Sequence, residues 1–222
     1  MDEDGTNLSW RNVVASWHKN NQMMSTQYRY LNCGLLISVL LLAFARTAGA
    51  DSAKEQLQGT IDSVVEVLRT IRSQEDIERN RKSLRQILLL RFDFAAMAQT
   101  SLGKRWNDLK GEEGEFVSAF TAFVEHSYMS TLGSYQGEKV VYASDWANGE
   151  SAEVDTRVVG GQGSPIKIGY KLHLKGEQWM VYDAVIDDVS VVGNYRAQFA
   201  RILHTASLEE LIQNLRAKAS GR

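Results

Sequence analysis

The chain has 222 residues and a net charge of −2, enough for one domain of ordinary size plus a leader, and without the basic footprint that would argue for nucleic acid. Its hydrophobic share of 44% is that of a globular protein. A single Cys excludes an intrachain disulfide and a cysteine metal cluster, and one Pro with 17 Gly leaves little room for long disordered linkers.

Residues 1–50 read as a leader. Gly34 to Ala45 is a run of 12 residues, almost all apolar, well short of the ~20 that a membrane span needs. Ala48 and Ala50 form an A-x-A cleavage site, so cleavage near Ala50 is expected and 24–50 reads as a signal peptide. Residues 1–23 sit awkwardly ahead of it, and the expected start is Met23 or Met24. The alternative is a single uncleaved anchor. Cys33 precedes the apolar run, which excludes a lipoprotein cysteine. Residues 51–222 would then form a single cysteine-free domain, suited to an oxidising compartment.

Three long helices and one short one come first. Leu57, Ile61, Val64, Val65, Leu68 and Ile71 fall on one stripe of an amphipathic helix from about Ala53 to Arg72. Gln74 to Leu90 is the second, charged at its start and apolar at its end. Asp93 can cap a short helix after it, and Gly103 can stop that helix. Glu112 to Leu132 is the third long helix, with Phe116, Phe120 and Phe123 on one face as a broad apolar wall.

Strands follow. Val140 to Ala143 is the first. Ala152, Val154, Thr156 and Val158 alternate with charged residues, and Ile166, Ile168, Tyr170, Leu172 and Leu174 alternate with Lys167, Lys171 and Lys175. Trp179 to Val189 predicts a long central strand with Asp187-Asp188 near its end. The period then changes from two to about 3.6: Tyr195, Phe199, Ile202 and Leu203 form a helical stripe, capped by Ser190 or Asn194. Ser207 to Glu210 is a capping box ahead of a last helix. The expected fold is α+β: a strongly curved four-stranded antiparallel meander, a half-cone of the cystatin or NTF2-like kind, packed against several helices.

Little here carries chemistry. The four His are too scattered for a metal site, and no nucleotide-binding or nucleophile motif is present. Asp187-Asp188 reads as a turn or cap. Asp183, mid-strand among apolar residues, is the one enzymatic suspect: a buried general base on a conical sheet, or an acid hydrogen-bonded to Arg or to backbone groups.

Two blocks carry a family resemblance. Trp179-Val181-Asp183, Asp188-Val189-Ser190 and Asn194-Tyr195-Arg196-Phe199 match one signature in order, and RFDFAAMAQTSLGKRW (91–106) matches another. Together they resemble the MlaC family, periplasmic phospholipid-binding proteins also known as toluene-tolerance auxiliary components, over about residues 53 to 216. The resemblance implies a non-enzymatic monomeric shuttle in the periplasm with no cofactor beyond its cargo. It would carry phospholipid between an inner-membrane Mla-type ABC transporter complex and an outer-membrane lipoprotein–porin complex. It also implies a deep cavity for the acyl chains, for which the candidate lining is Phe116, Phe120, Phe123, Tyr142, Ile168, Tyr170, Leu172, Trp179, Val181, Tyr195 and Phe199. Arg196 is expected to pair with Asp183 or Asp187. A carrier of another apolar ligand, such as a hopanoid or solvent, is the alternative cargo.

Overall fold

The structure, a computed structural model, describes residues 52–132, 135–160 and 164–221. The leader and its cleavage site lie outside the described residues. Three helices lead: α1 (Ala53–Thr70), α2 (Gln74–Leu89) and α3 (Phe94–Leu102). Ser52 and Ser73 close capping boxes with Glu55 and Asp76, which satisfies amides that a helix start leaves bare. Asp93 caps α3 as its sequence position predicts, its Oδ1 accepting from the Ala96 amide at 3.0 Å. A 3₁₀ turn (Gly103–Asp108) leads to α4 (Glu113–Leu132).

Strands β1 (Lys139–Asn148), β2 (Ser151–Val159), β3 (Ile166–Lys175), β4 (Gln178–Ile186) and β5 (Val189–Ser190) follow, then α5 (Val191–Ile202) and α6 (Leu208–Ala219). The sheet is antiparallel and open, in the order β1-β2-β3-β4-β5. It therefore has five strands rather than the expected four. The reason lies at Asp187 and Asp188, which both adopt positive φ, 45° and 68°. Two such residues make a tight hairpin turn. β4 accordingly ends at Ile186, and the chain doubles back to pair Ile186 with Val189. The turn is fastened to β3: Asp187 Oδ1 accepts from the Lys167 amide at 3.0 Å, and Asp188 meets Lys167 Nζ at 3.1 Å.

β1 is also longer than Val140 to Ala143. Its register against β2 shifts between Tyr142 and Ser144, and beyond the shift the strand is exposed, Trp146 included. It is an edge strand held by its hydrogen bonds to β2, so burial periodicity does not mark its second half. On the helical side, α4 lies along α6 and α3 packs against α5 and α4.

The sequence blocks around residues 91–106 and 179–199 meet in space. The Arg91 carbonyl accepts from the Val181 amide at 2.7 Å, and the Asp93 amide donates to the Val181 carbonyl at 2.8 Å, forming a short parallel bridge along β4. Arg91 sends its guanidinium to Gln56 Oε1 at 2.7 Å, Thr60 Oγ1 at 3.1 Å and the Trp179 carbonyl, tying α1 to β4. Gly103, at φ 58°, passes so close to α5 that an added Cβ would lie 2.9 Å from Arg196 Nε. Arg196 thus lies against the 3₁₀ turn, and no pairing with Asp183 or Asp187 is found among the described contacts.

Candidate lipid-binding site

The inner face of the sheet changes along its length. At the end where β1 and β2 join, α1 covers it. Ala53, Leu57, Ala152, Leu172 and Val181 are buried to 5% exposure or less, with Trp179 at 8%, in one cluster. Toward the other end the same face relaxes. Thr156 is still buried, but its neighbours across the strands, Tyr142 and Ile168, are half-buried, as are Val140, Val158 and Ile166 beyond them. Along the α1 stripe, Leu57 is fully buried, Ile61, Val64 and Val65 are half-buried, and Leu68 is buried again at 6% exposure.

Tyr170 shows what that means locally. Burial pushes its hydroxyl up to about 12, although Thr156 bonds to it. Yet the residue keeps accessible surface. Tyr170 and Tyr142, with Ile61, pack against the closed cluster while keeping some accessible surface. The Tyr142 hydroxyl is buried and has no partner among the described residues. Burial raises its pKa, and Asp62 and Tyr170 add to the shift.

The candidate lining residues divide into three groups. Tyr142, Ile168 and Tyr170 stand half-buried on the relaxed face. Leu172, Trp179 and Val181 lie beneath the first turns of α1, in closed packing. Phe116, Phe120, Tyr195 and Phe199 belong to the contact between α4 and α5. Phe116 and Phe120 have no exposed surface. Their rings lie 6.1 Å apart and near parallel, and Phe199 meets Phe116 edge-on at 6.0 Å. Tyr195 meets Phe120 edge-on at 5.6 Å and the half-buried Phe123 at 5.6 Å. These rings fill the space between two helices, so the phenylalanine face is a core.

Sequence reasoning did not single out Ile61, Val64 and Val65 as site residues; their stripe was legible, but a stripe does not say whether its partner surface closes on it. It also passed over Tyr128, whose hydroxyl, raised to about 12 by burial, bonds to Tyr195. Asp183 has a structural occupation. Its Oδ2 accepts from the Ser190 hydroxyl at 2.7 Å and its Oδ1 from the Val192 amide at 3.1 Å, while Ser190 Oγ in turn accepts from the Gly193 amide. The carboxylate therefore holds the first turn of α5 against β4. Gly193 fits that turn because a Cβ there would come 2.9 Å from Ser190 Oγ. Among the described residues no group of three or more His, Cys, Asp or Glu could hold a metal.

The MlaC protein family model matches residues 58–217. The chain belongs to the MlaC family. The intermembrane phospholipid transport system binding protein MlaC of Haemophilus influenzae (strain ATCC 51907 / DSM 11121 / KW20 / Rd) is 25% identical over 196 residues, spanning 83% of this chain and 92% of that protein. A phospholipid-binding protein from Ralstonia solanacearum, solved in complex with a phospholipid, superposes with a TM-score of 0.66 over 77% of this chain and 98% of its own, at 22% identity. At that identity the likeness establishes the fold. Within the family frame, the two signature blocks have a physical explanation: they are the places where α1, β4, the 3₁₀ turn and α5 are joined.

Proposed function

We propose that this MlaC-family chain is a phospholipid shuttle that carries a glycerophospholipid by its tails in the hollow between the relaxed end of a curled sheet and the second half of α1. Membership of the family over residues 58–217 is the observation that carries the ligand class. The half-burial of Tyr142, Ile168 and Tyr170 on the sheet and of Ile61, Val64 and Val65 on the helix supports that location. The protein works without catalysis and as a monomer in the periplasm. It hands lipid between an inner-membrane Mla-type ABC transporter complex and an outer-membrane lipoprotein–porin complex. Among the described residues, no helix is long and apolar enough to cross a membrane.

The test is mass spectrometry of an organic extract of the purified protein. A glycerophospholipid near one per chain is expected, and a hopanoid or an empty protein would refute the reading. Ile168→Trp, which places a large ring in the hollow, should cut recovered lipid at least fivefold while the far-ultraviolet circular dichroism stays unchanged. Full occupancy in a folded Ile168→Trp protein would show that the tails lie elsewhere.

A further inference from the structure

At the end where β1 and β2 join, the chain turns through Gly149 and Glu150. Asn148 and Ser151 are the last pair of the ladder. Gly149 takes φ 59°, the conformation that the first central residue of a two-residue hairpin turn requires. Asn148 and Gly149 are both exposed, and a Cβ built on Gly149 would meet nothing within 4 Å. Among the described residues, neither the Gly149 amide nor the Asn148 carboxamide has a hydrogen-bond partner. A nucleophilic nitrogen and a carbonyl carbon are thus neighbours in the chain, open to water and unengaged.

The other asparagines of residues 52–221 are placed differently. Asn80, Asn194 and Asn214 lie inside α2, α5 and α6, and Asn107 inside the 3₁₀ turn, so the amides that follow them belong to helical ladders. Those amides come from Arg81, Tyr195, Leu215 and Asp108, each with a side chain that crowds the approach. Asn80 Nδ2 also donates to the Asp76 carbonyl at 2.9 Å. Ring closure on Asn148 needs that residue to leave its extended backbone. It is the last residue of an exposed edge strand, where local opening costs least.

We propose that Asn148 is a self-modifying site, which loses its side-chain nitrogen to attack by the Gly149 amide. The bond from the Gly149 nitrogen to Asn148 Cγ forms, the Cγ–Nδ2 bond breaks, and ammonia leaves with the proton of the Gly149 amide. Water then opens the succinimide. Addition at Cγ restores the main chain with Asp at this position, whereas addition at the backbone carbonyl carbon routes the chain through the side chain as isoaspartate. No electron is transferred, and water is the only co-reactant. Both products place a carboxylate beside Glu150, and isoaspartate lengthens the backbone by a methylene at the pair with Ser151. Beyond its register shift β1 is held by its pairs with β2 and by the Lys54–Asp145 contact at 3.0 Å. The modified hairpin therefore opens from Asn148 back toward Asp145 and leaves the relaxed end of the sheet as it was. The site is independent of the carrier reading.

The purified protein is held in mildly alkaline buffer at physiological temperature for several weeks, and peptides covering every asparagine are quantified by mass spectrometry. Asn148 should convert at least about tenfold faster than Asn80, Asn107, Asn194 or Asn214, giving both Asp and isoaspartate. The rate should rise with pH, because the attacking nitrogen must lose its proton. Asn148→Ser should remove the acidic form that ion exchange resolves. In the aged wild type, hydrogen exchange should quicken from Asp145 to Asn148 and stay unchanged at Val140 and Val141. An Asn148 that stays intact while a synthetic peptide of residues 144–153 converts would show that the hairpin protects it, and overturns the proposal. Equal conversion at the helical asparagines overturns it as well, as does an acidic form that persists undiminished in Asn148→Ser.

Discussion

Asp183 stands in an otherwise apolar stretch of β4, and each of its oxygens accepts one hydrogen bond from the start of α5. Replacing it with Ala strands the buried Val192 amide, at a cost of about 1–3 kcal/mol. Asp183→Asn keeps one acceptor oxygen and should cost less. Urea denaturation of both variants checks this. A fully stable Asp183→Asn protein that had lost a measurable turnover would instead favour the general-base alternative. Asp93 is the other acid with a structural task. Burial raises its carboxyl, but the Ala96 amide, Lys175 and His173 together outweigh that and leave its pKa below the ordinary value. A depressed folded pKa adds stability above the unfolded pKa, about 3.9, and that stability is lost as pH falls through the folded value. The melting temperature of Asp93→Asn should therefore lie below wild type at neutral pH and converge on it below about pH 4. A gap that persists unchanged to the acid limit would show that the carboxylate's charge is not what stabilises this junction.

Elements that look alike in sequence do different work. α1 and α4 both show an apolar stripe, and the denser one, with three Phe, looks like the better ligand wall. In the structure the rings of α4 meet Tyr195 and Phe199 of α5 edge-on and leave Phe120 without exposed surface, whereas Ile61, Val64 and Val65 of α1 are half-buried between buried Leu57 and Leu68. Phe120→Ala should therefore act on stability, with a loss of about 3–5 kcal/mol from the cavity it leaves. Chemical denaturation measures it, and lipid recovered per folded chain should not change. Loss of lipid with unchanged stability would return Phe120 to the ligand wall.

At the scale of the molecule, the tails set the energetics. Two acyl chains carry about 30 methylenes at about 0.8 kcal/mol each, roughly 24 kcal/mol relative to water. That exceeds the ~18–21 kcal/mol at which non-covalent affinity saturates, so water is not the state the carrier competes with. The bilayer already buries the same methylenes. On the proposed reading, a hollow that matched it to within a few kcal/mol would hold lipid firmly in water and yield it at a membrane.

The caps of α3 and α6, the strand periods of β2 and β3 and the switch from strand to helix at Ser190 are local, and each was legible because a capping oxygen or an alternating pattern acts within a few residues. So was the family, because the joints that hold α1, β4 and α5 together need particular residues in order. The tertiary structure alone decided the rest. The strand break at Asp187-Asp188 depends on backbone dihedrals that a pair of aspartates permits without requiring. Whether an apolar face is core or wall depends on what comes to lie opposite it, and that distance is set by packing between elements far apart in the chain.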